Sequence, residues 1–313
     1  MAAQRTPLDG GRWHFQHGPI DIVVQAEGDA SVLAQAHEAA WQRFAGILDE
    51  LVGELRGLRQ PVSAAHTLKG QIAQRMRNAC EQASLACGSP FITPMAAVAG
   101  SVAQELIAFY RRPGIERAWV NNGGDIALHL APGRSARVGV FADLARFDPM
   151  QHEAPLETDG QFDVHASTPV RGIATSGWRG RSFSLGIADS VTVLAQTAAQ
   201  ADAAATLIAN AVNVEDAAIQ RRPASECKDD SDLGDLPVTV DVAVLAPTQV
   251  QHALAAGALR AGVLQRAGLI WSVALVCQGQ WRIVQPLSSL PAADRAALPP
   301  RPMQGHATGS VFA

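Results

Sequence analysis

The apolar positions of this chain follow two periods that alternate from segment to segment. Trp13 and Phe15 alternate with polar residues, Gly18-Pro19 interrupts, and Ile20, Ile22, Val23 and Val24 follow; this pattern predicts an antiparallel hairpin. From residue 31 to about 58, Val32, Leu33, Ala36, Ala40, Phe44, Ile47, Leu48, Leu51 and Leu55 recur at three and four, the spacing of one long amphipathic helix. A second helix is expected over 63–85. The third has a start signal: Thr93 can cap it, Pro94 suits the first helical position, and the run to Tyr110 holds no breaker except Gly100. Its early face is small, with Ala96, Ala97, Ala99, Gly100, Ser101 and Ala103, so a neighbouring backbone or a flat ligand can come close.

Period two then returns. Residues 117–120, the turn Asn121-Asn122-Gly123-Gly124-Asp125, and residues 126–130 and 136–141 predict an antiparallel meander. The polar, aperiodic stretch 143–167 reads as a long loop with a weak strand at 161–164. Further strands are expected at 172–175 and 182–193, a helix at 198–211, a strand at 237–245, a helix at 247–267, and a last hairpin from 269–277 and 281–284. Strand pairs broken by long helices, without βαβ regularity, indicate an α+β fold with helices packed on antiparallel sheet. No linker divides it, so a single domain is expected over 1–285. Its halves, about 1–165 and 166–285, each pair strands with helices and look related; the Pro- and Ala-rich stretch 286–313 reads as a loosely ordered tail.

Composition narrows the function. With 25 Lys+Arg against 29 Asp+Glu the net charge is −4, which lacks the basic footprint of a nucleic-acid partner. No stretch of eighteen apolar residues is free of charge, which argues against a membrane span, and the N-terminus lacks a signal-peptide core; the expected location is cytoplasmic. Cys80, Cys87, Cys227 and Cys277 show no CxxC spacing and are expected to be thiols. Only Lys69 and Lys228 are lysines, and neither follows a glycine-rich loop, which excludes Walker-type and Schiff-base chemistry. The nine histidines are scattered, without zinc spacing.

Three segments can carry chemistry. Around Gly123 and Gly124 the local reading is a tight turn; the alternative is a place where backbone approaches a ligand while Asp125 accepts hydrogen bonds from it. In Gly172-Ile173-Ala174-Thr175-Ser176-Gly177 a strand ends in two hydroxyls and a glycine, either a structural turn or donors converging on a phosphate. Asp202 and Thr206, four apart on a helix, share one face; they either serve the helix itself or offer hard oxygens suited to Mg2+.

Taken in order, Ala99-Gly100-Ser101-Val102-Ala103, Asn122-Gly123-Gly124-Asp125-Ile126, Gly172-Ile173-Ala174-Thr175-Ser176-Gly177 and Ala201-Asp202-Ala203-Ala204-Ala205-Thr206 resemble the ApbE family, the FAD:protein FMN transferases. The resemblance is closer to a shortened branch of that family, through Phe91-Ile92-Thr93-Pro94-Met95-Ala96-Ala97-Val98-Ala99-Gly100 and Asp230-Ser231-Asp232-Leu233-Gly234-Asp235. It implies a T-fold-like α+β structure and an FAD site formed by Ala99, Gly100, Gly123, Gly124, Asp125, Ala174, Thr175, Ser176 and Gly177, with Mg2+ on Asp202 and Thr206.

The chain departs from the transferase pattern in two places. Where the transferases have Lys-Gly and, four residues on, Asp, this chain has Ala99-Gly100 and Gln104. Their segment with the catalytic histidine is absent, and residues 182–191 run across its place; Asp189 or His165 would have to substitute. The resemblance thus implies a flavin-nucleotide binder acting in flavin or redox-cofactor maturation with little or no FMN transfer, and identifies no catalytic residue. The alternatives are an enzyme on another phosphorylated ligand, a divergent transferase or a pyrophosphate hydrolase acting on a flavin or pterin, and a scaffold that binds no flavin. The partners expected are a small nucleotide or flavin, an acceptor redox protein and a second copy in a homo-oligomer; neither nucleic acid nor membrane is expected.

Overall fold

The computed structural model describes residues 2–64, 67–140, 159–229 and 231–287, together with the backbone of 310–312. Strand β1 (Gln4–Leu8) pairs with β2 (Arg12–His17), which pairs with β3 (Ile20–Gly28) in the predicted hairpin, Phe15 opposite Ile22. β1 lies outside the predicted set because its residues are exposed and show no alternation; at a sheet edge Pro7, which has no N–H to donate, is tolerated.

The single helix expected over 31–58 is three: α1 (Ala30–Ala45), α2 (Ile47–Gly53) and α3 (Leu55–Leu58). Breaks at Gly46 and Glu54 bend the path while Phe44, Ile47, Leu51 and Leu58 stay buried. The next helix, α4 (Gln71–Ala86), starts eight residues later than expected. Its amino end is served from a distance: the Glu54 carboxylate accepts the N–H groups of Lys69 at 2.6 Å and Gly70 at 2.7 Å. A 3-10 turn (Pro94–Ala97) precedes α5 (Val98–Ile107), and Thr93 does not cap it; its hydroxyl donates instead to the Asp232 carboxylate.

β4 (Ile115–Asn122) and β5 (Asp125–Leu130) form the first half of the expected meander, but β6 (Ser135–Val140) leaves it to pair with β7 (Gly160–His165), so β7 realises the weak strand at 161–164. β5 turns its free edge to β8 (Gly172–Ser176), followed by β9 (Ser190–Ala195). The strand expected over 182–193 therefore begins only at Ser190. Then come α6 (Ala198–Ala211), the ribbon of β10 (Ile219–Pro223) and β11 (Pro237–Val242) flanking α7 (Ala224–Cys227), α8 (Pro247–Arg266), and the final hairpin β12 (Ser272–Cys277) and β13 (Gln280–Val284). β14 (Ser310–Phe312) runs parallel to β6. Most of the loop and tail expected at 143–167 and 286–313 lies outside the described residues.

Nine strands make one sheet in the order β1-β2-β3-β4-β5-β8-β9-β12-β13, with every neighbouring pair antiparallel. Alternation sorts its side chains. Ala118, Val120 and Ala127 join the core under α1, α4 and α5; Val191, Val193, Val273 and Leu275 join the core under α6 and α8. The intervening Trp119, Ile126, Leu128, Ile173 and Leu194 point the other way, against β6 and β7. The sheet is thus covered by helices on one face and, at its centre, by the small sheet on the other. Among the described residues no helix is long and apolar enough to cross a membrane.

Candidate functional site

The small face of α5 brings two helix backbones into contact. A Cβ added at Gly100 would lie 2.3 Å from the Ala198 carbonyl oxygen and 2.9 Å from Asp202 Cβ, so only glycine permits this approach to α6. The Asp202 carboxylate then accepts the Gly100 N–H at 2.8 Å, a side-chain cap supplied across the helix contact, since α5 has no side-chain cap of its own. The Asn122 amide at the end of β4 donates to the Ala99 carbonyl at 3.1 Å and ties the β4–β5 turn to the same spot.

That turn has Gly123 and Gly124 at positive φ, 66° and 111°, with the Gly124 N–H donated to Asn121 Oδ1 at 2.8 Å. It delivers Asp125 to the start of β5, where its Oδ1 accepts the Thr175 N–H at 3.2 Å. Thr175 Oγ1 is 3.0 Å from Thr192 Oγ1 of β9. Ser176 ends β8, Gly177 lies against the Asp189 carbonyl, and the Ala174 side chain faces the core beneath α6. Thr206 stands one turn beyond Asp202 and is half-buried. Gly100, Asp125, Thr175 and Asp202, from four separate segments, thus meet where α5, the β4–β5 turn, β8 and α6 converge.

Electrostatics bind the group together. Burial raises the Asp125 carboxyl well above its ordinary range, the Asp202 charge raises it further, and the Thr175 amide opposes both. Asp202 is pushed up to about 7 by burial, against the Gly100 and Ala99 amides. No Arg, Lys or His among the described residues offsets either one. Burial and the Asp202 and Asp232 charges also raise the Cys80 thiol, which keeps it protonated.

Three residues at this place were invisible as site residues in the sequence. Asp232 arrives with the acidic loop through its bond to Thr93, 139 positions away, and Cys80 arrives from α4. Arg181 reaches over the turn, its Nη1 3.0 Å from where a Gly123 Cβ would be. Only its position just after Ala174-Thr175-Ser176-Gly177 marks it in the chain. Of the two substitutes for the missing histidine, Asp189 lies beside Gly177 with its carboxylate engaged, and His165 is placed elsewhere. Asp189 accepts the Trp178 indole N–H at 3.3 Å and the Gln278 amide, and exposed His165 lies on β7 in the small sheet.

A family model described as "AbpE bacteria" matches residues 4–283. The chain belongs to this family. As an AbpE-family chain it has the ApbE-like α+β fold that its motifs implied. It is similar to the UPF0280 protein MK0206 of Methanopyrus kandleri, 35% identical over 207 residues, which covers 64% of this chain and 75% of that one. The UPF0280 protein of Methanospirillum hungatei is 36% identical over 126 residues, 40% of this chain and 47% of its own length, so that alignment spans about half of the relative. Among solved structures, the flavinyl transferase ApbE of Pseudomonas stutzeri in its apo form superposes with a TM-score of 0.40 at 12% identity, over 68% of this chain and 85% of that one. The flavin transferase ApbE of Vibrio cholerae gives 0.38 at 13%, over 90% and 97%.

Proposed function

We propose that this protein binds a flavin nucleotide, FAD, together with Mg2+ where α5, the β4–β5 turn, β8 and α6 converge, and acts in flavin or redox-cofactor maturation without efficient FMN transfer. One observation carries the reading: Asp125 and Asp202 stand side by side, burial raises the proton affinity of both and the Asp202 charge raises that of Asp125 further, and no cationic side chain among the described residues offsets them. Two recessed carboxylates, with the Thr206 hydroxyl one turn on, suit a hard divalent cation that keeps part of its shell for water and phosphate. When bound, Mg2+ would neutralise charge on a pyrophosphate. The chain's own residues do the rest. Gly123 and Gly124 keep side chains clear of the ligand, Arg181 offers a cation over that turn, and the Asp202 bond to Gly100 fixes the carboxylate's direction.

Weak transfer is the expectation because, among the described residues, no histidine or uncommitted carboxylate is placed at the site as a base. Asp189 is committed to Trp178 and Gln278, and a positioned general base is worth roughly 10²–10⁴-fold. A redox protein with a Thr or Ser hydroxyl is the acceptor class that a divergent transferase would use.

A second reading, an enzyme on a different phosphorylated ligand such as a pterin, draws on Gln104. Its Oε1 accepts the Ala199 N–H at 3.2 Å, so the side chain at the family's carboxylate position is engaged with α6. Titration calorimetry with FAD, with and without Mg2+, while AMP is followed, tests both. Mg2+-dependent binding without AMP supports the first reading. Sustained AMP release sinks it in favour of an enzyme, and no FAD binding at all removes the flavin from both.

A further inference from the structure

The ladder between β5 and β8 is short. Ile126 pairs with Ile173 and Ala127 with Gly172, and the Leu128 N–H reaches the Arg171 carbonyl at 2.9 Å. β5 then runs on to Leu130 while the chain leading to β8 diverges, and the gap opens into a cavity of about 800 Å3. The cavity lies at the end of β5 away from the carboxylate pair. His129 on its wall is four residues along the strand from Asp125, roughly 13 Å at about 3.3 Å per residue.

The wall has one sign of charge. Arg111, Arg112 and Arg171 line it, and among the described residues no Asp or Glu does. Arg171 is oriented by carbonyls: its Nη1 donates to Thr168 at 2.8 Å and Val170 at 2.6 Å, and its Nη2 to Ala166 at 2.9 Å. Three of its five N–H donors are used in this way, and among the described residues its charge meets no carboxylate. Burial and the neighbouring Arg111 lower the Arg171 pKa; burial and Arg75 lower that of Arg111. His129 donates its Nε2–H to the Ile115 carbonyl at 3.2 Å and, with burial and both arginines lowering its pKa, is neutral at pH 7. Guanidinium groups gathered without a counter-charge cost stability, and a planar donor fork matches the oxygens of a phosphate or carboxylate.

We propose that this cavity is a binding site for the oxyanion of a small ligand, phosphate or carboxylate, held by Arg171 and Arg111, with Ile115 and the adjoining prolines against the ligand's apolar part. Neither Asp125 nor Asp202 lines this cavity, although Gln104, at the family's carboxylate position, and Thr197, ahead of α6, stand on its wall. The volume exceeds that of an inorganic anion, so the charged group anchors a larger molecule.

Calorimetry on the full chain with inorganic phosphate and, separately, succinate provides the test. Binding of at least one is expected, and the preference between them tells phosphate from carboxylate as the natural anchor. Arg111→Gln, at an exposed residue, is expected to weaken that binding by about tenfold or more, the worth of one charged hydrogen-bonding group. Asp202→Asn should leave it unchanged, which separates this site from the carboxylate cleft. Failure of both anions to bind, unaltered affinity in Arg111→Gln, or loss of binding in Asp202→Asn would each overturn the proposal. Arg171→Gln is the second variant, with circular dichroism to confirm that the 166–171 loop still folds.

Discussion

The carboxylate of Asp202, on α6, accepts the backbone N–H of Gly100, on α5, at 2.8 Å, and the two residues are 102 positions apart in the chain. One side chain therefore completes the amino end of a neighbouring helix and also places a charge at the candidate cleft. The two roles separate by substitution. Asp202→Asn keeps an oxygen for the Gly100 amide and is expected to fold with near-normal stability while losing Mg2+-dependent stabilisation. Asp202→Ala loses both and should cost about 1 kcal/mol more, the usual worth of a helix cap. Thermal melts with and without Mg2+ decide it; an unchanged Mg2+ response in both variants removes Asp202 from any metal site.

The raised proton affinities of Asp202 and Asp125 set a pH dependence with a definite sign. A carboxyl whose pKa is higher folded than unfolded binds its proton more tightly in the folded state, so ionisation destabilises the fold. Without metal, stability should rise as pH falls through about 7 towards the ordinary carboxylate range. The Mg2+ effect should run oppositely and fade as pH falls through about 7, because the proton competes for the same oxygens. Denaturant titrations at pH 8 and pH 5.5, with and without Mg2+, should show these opposed trends, and a Mg2+ effect independent of pH would contradict the assignment.

Gly100→Ala forces a Cβ to within 2.3 Å of a main-chain oxygen, and main chain cannot move aside as a flexible side chain can. The expected loss is roughly 1–3 kcal/mol, the range for overpacking. Gly46→Ala is the control: its Cβ meets nothing within 4 Å and its φ is −97°, so stability should hold or rise. Equal melting temperatures for the two variants would show that the α5–α6 contact is looser than described.

Buried Tyr110 and half-buried His37 form a second polar pair, with the Tyr110 hydroxyl 2.8 Å from His37 Nδ1. Burial lowers the His37 pKa and raises that of Tyr110, so both stay neutral near pH 7. Tyr110→Phe strands a ring nitrogen and should cost about 1–3 kcal/mol in denaturant titrations. Phosphate and FAD affinities should stay the same, since neither residue belongs to the carboxylate cleft or lines the arginine cavity.

The elements legible in the sequence are those whose own residues carry the signal. α6, α8 and the β2–β3 and β12–β13 hairpins follow from apolar period and turn chemistry. β1 and β10 escaped because Gln4–Leu8 and Ile219–Pro223 are polar and mostly not buried, so pairing with a partner strand makes them strands. The helix expected over 63–85 starts later, at Gln71, because the backbone amides of Lys69 and Gly70 just ahead of it are given to Glu54. At the cleft, Gly100, Asp125, Thr175 and Asp202 were legible through short ordered motifs. Asp232 stood in the Asp230–Asp235 motif with no role at the site attached to it, and Cys80 and Arg181 belonged to none, because each reaches the site only through a tertiary contact. The arginine cavity was illegible for the same reason: Arg111 and Arg171 are sixty positions apart and belong to no motif.

Gly172 of β8 meets the Thr197–Ala198 backbone as closely as Gly100 of α5 meets Ala198; a Cβ there would be 2.1 Å from the Thr197 carbonyl carbon. The first turn of α6 is thus gripped from two sides by bare main chain, and it can neither slide along its axis nor tilt without atoms overlapping. Side chains hop between rotamers, but touching backbones have no such freedom. The arm that carries Asp202 is therefore already aimed, and a ligand at the proposed site would be spared the entropy of ordering its host.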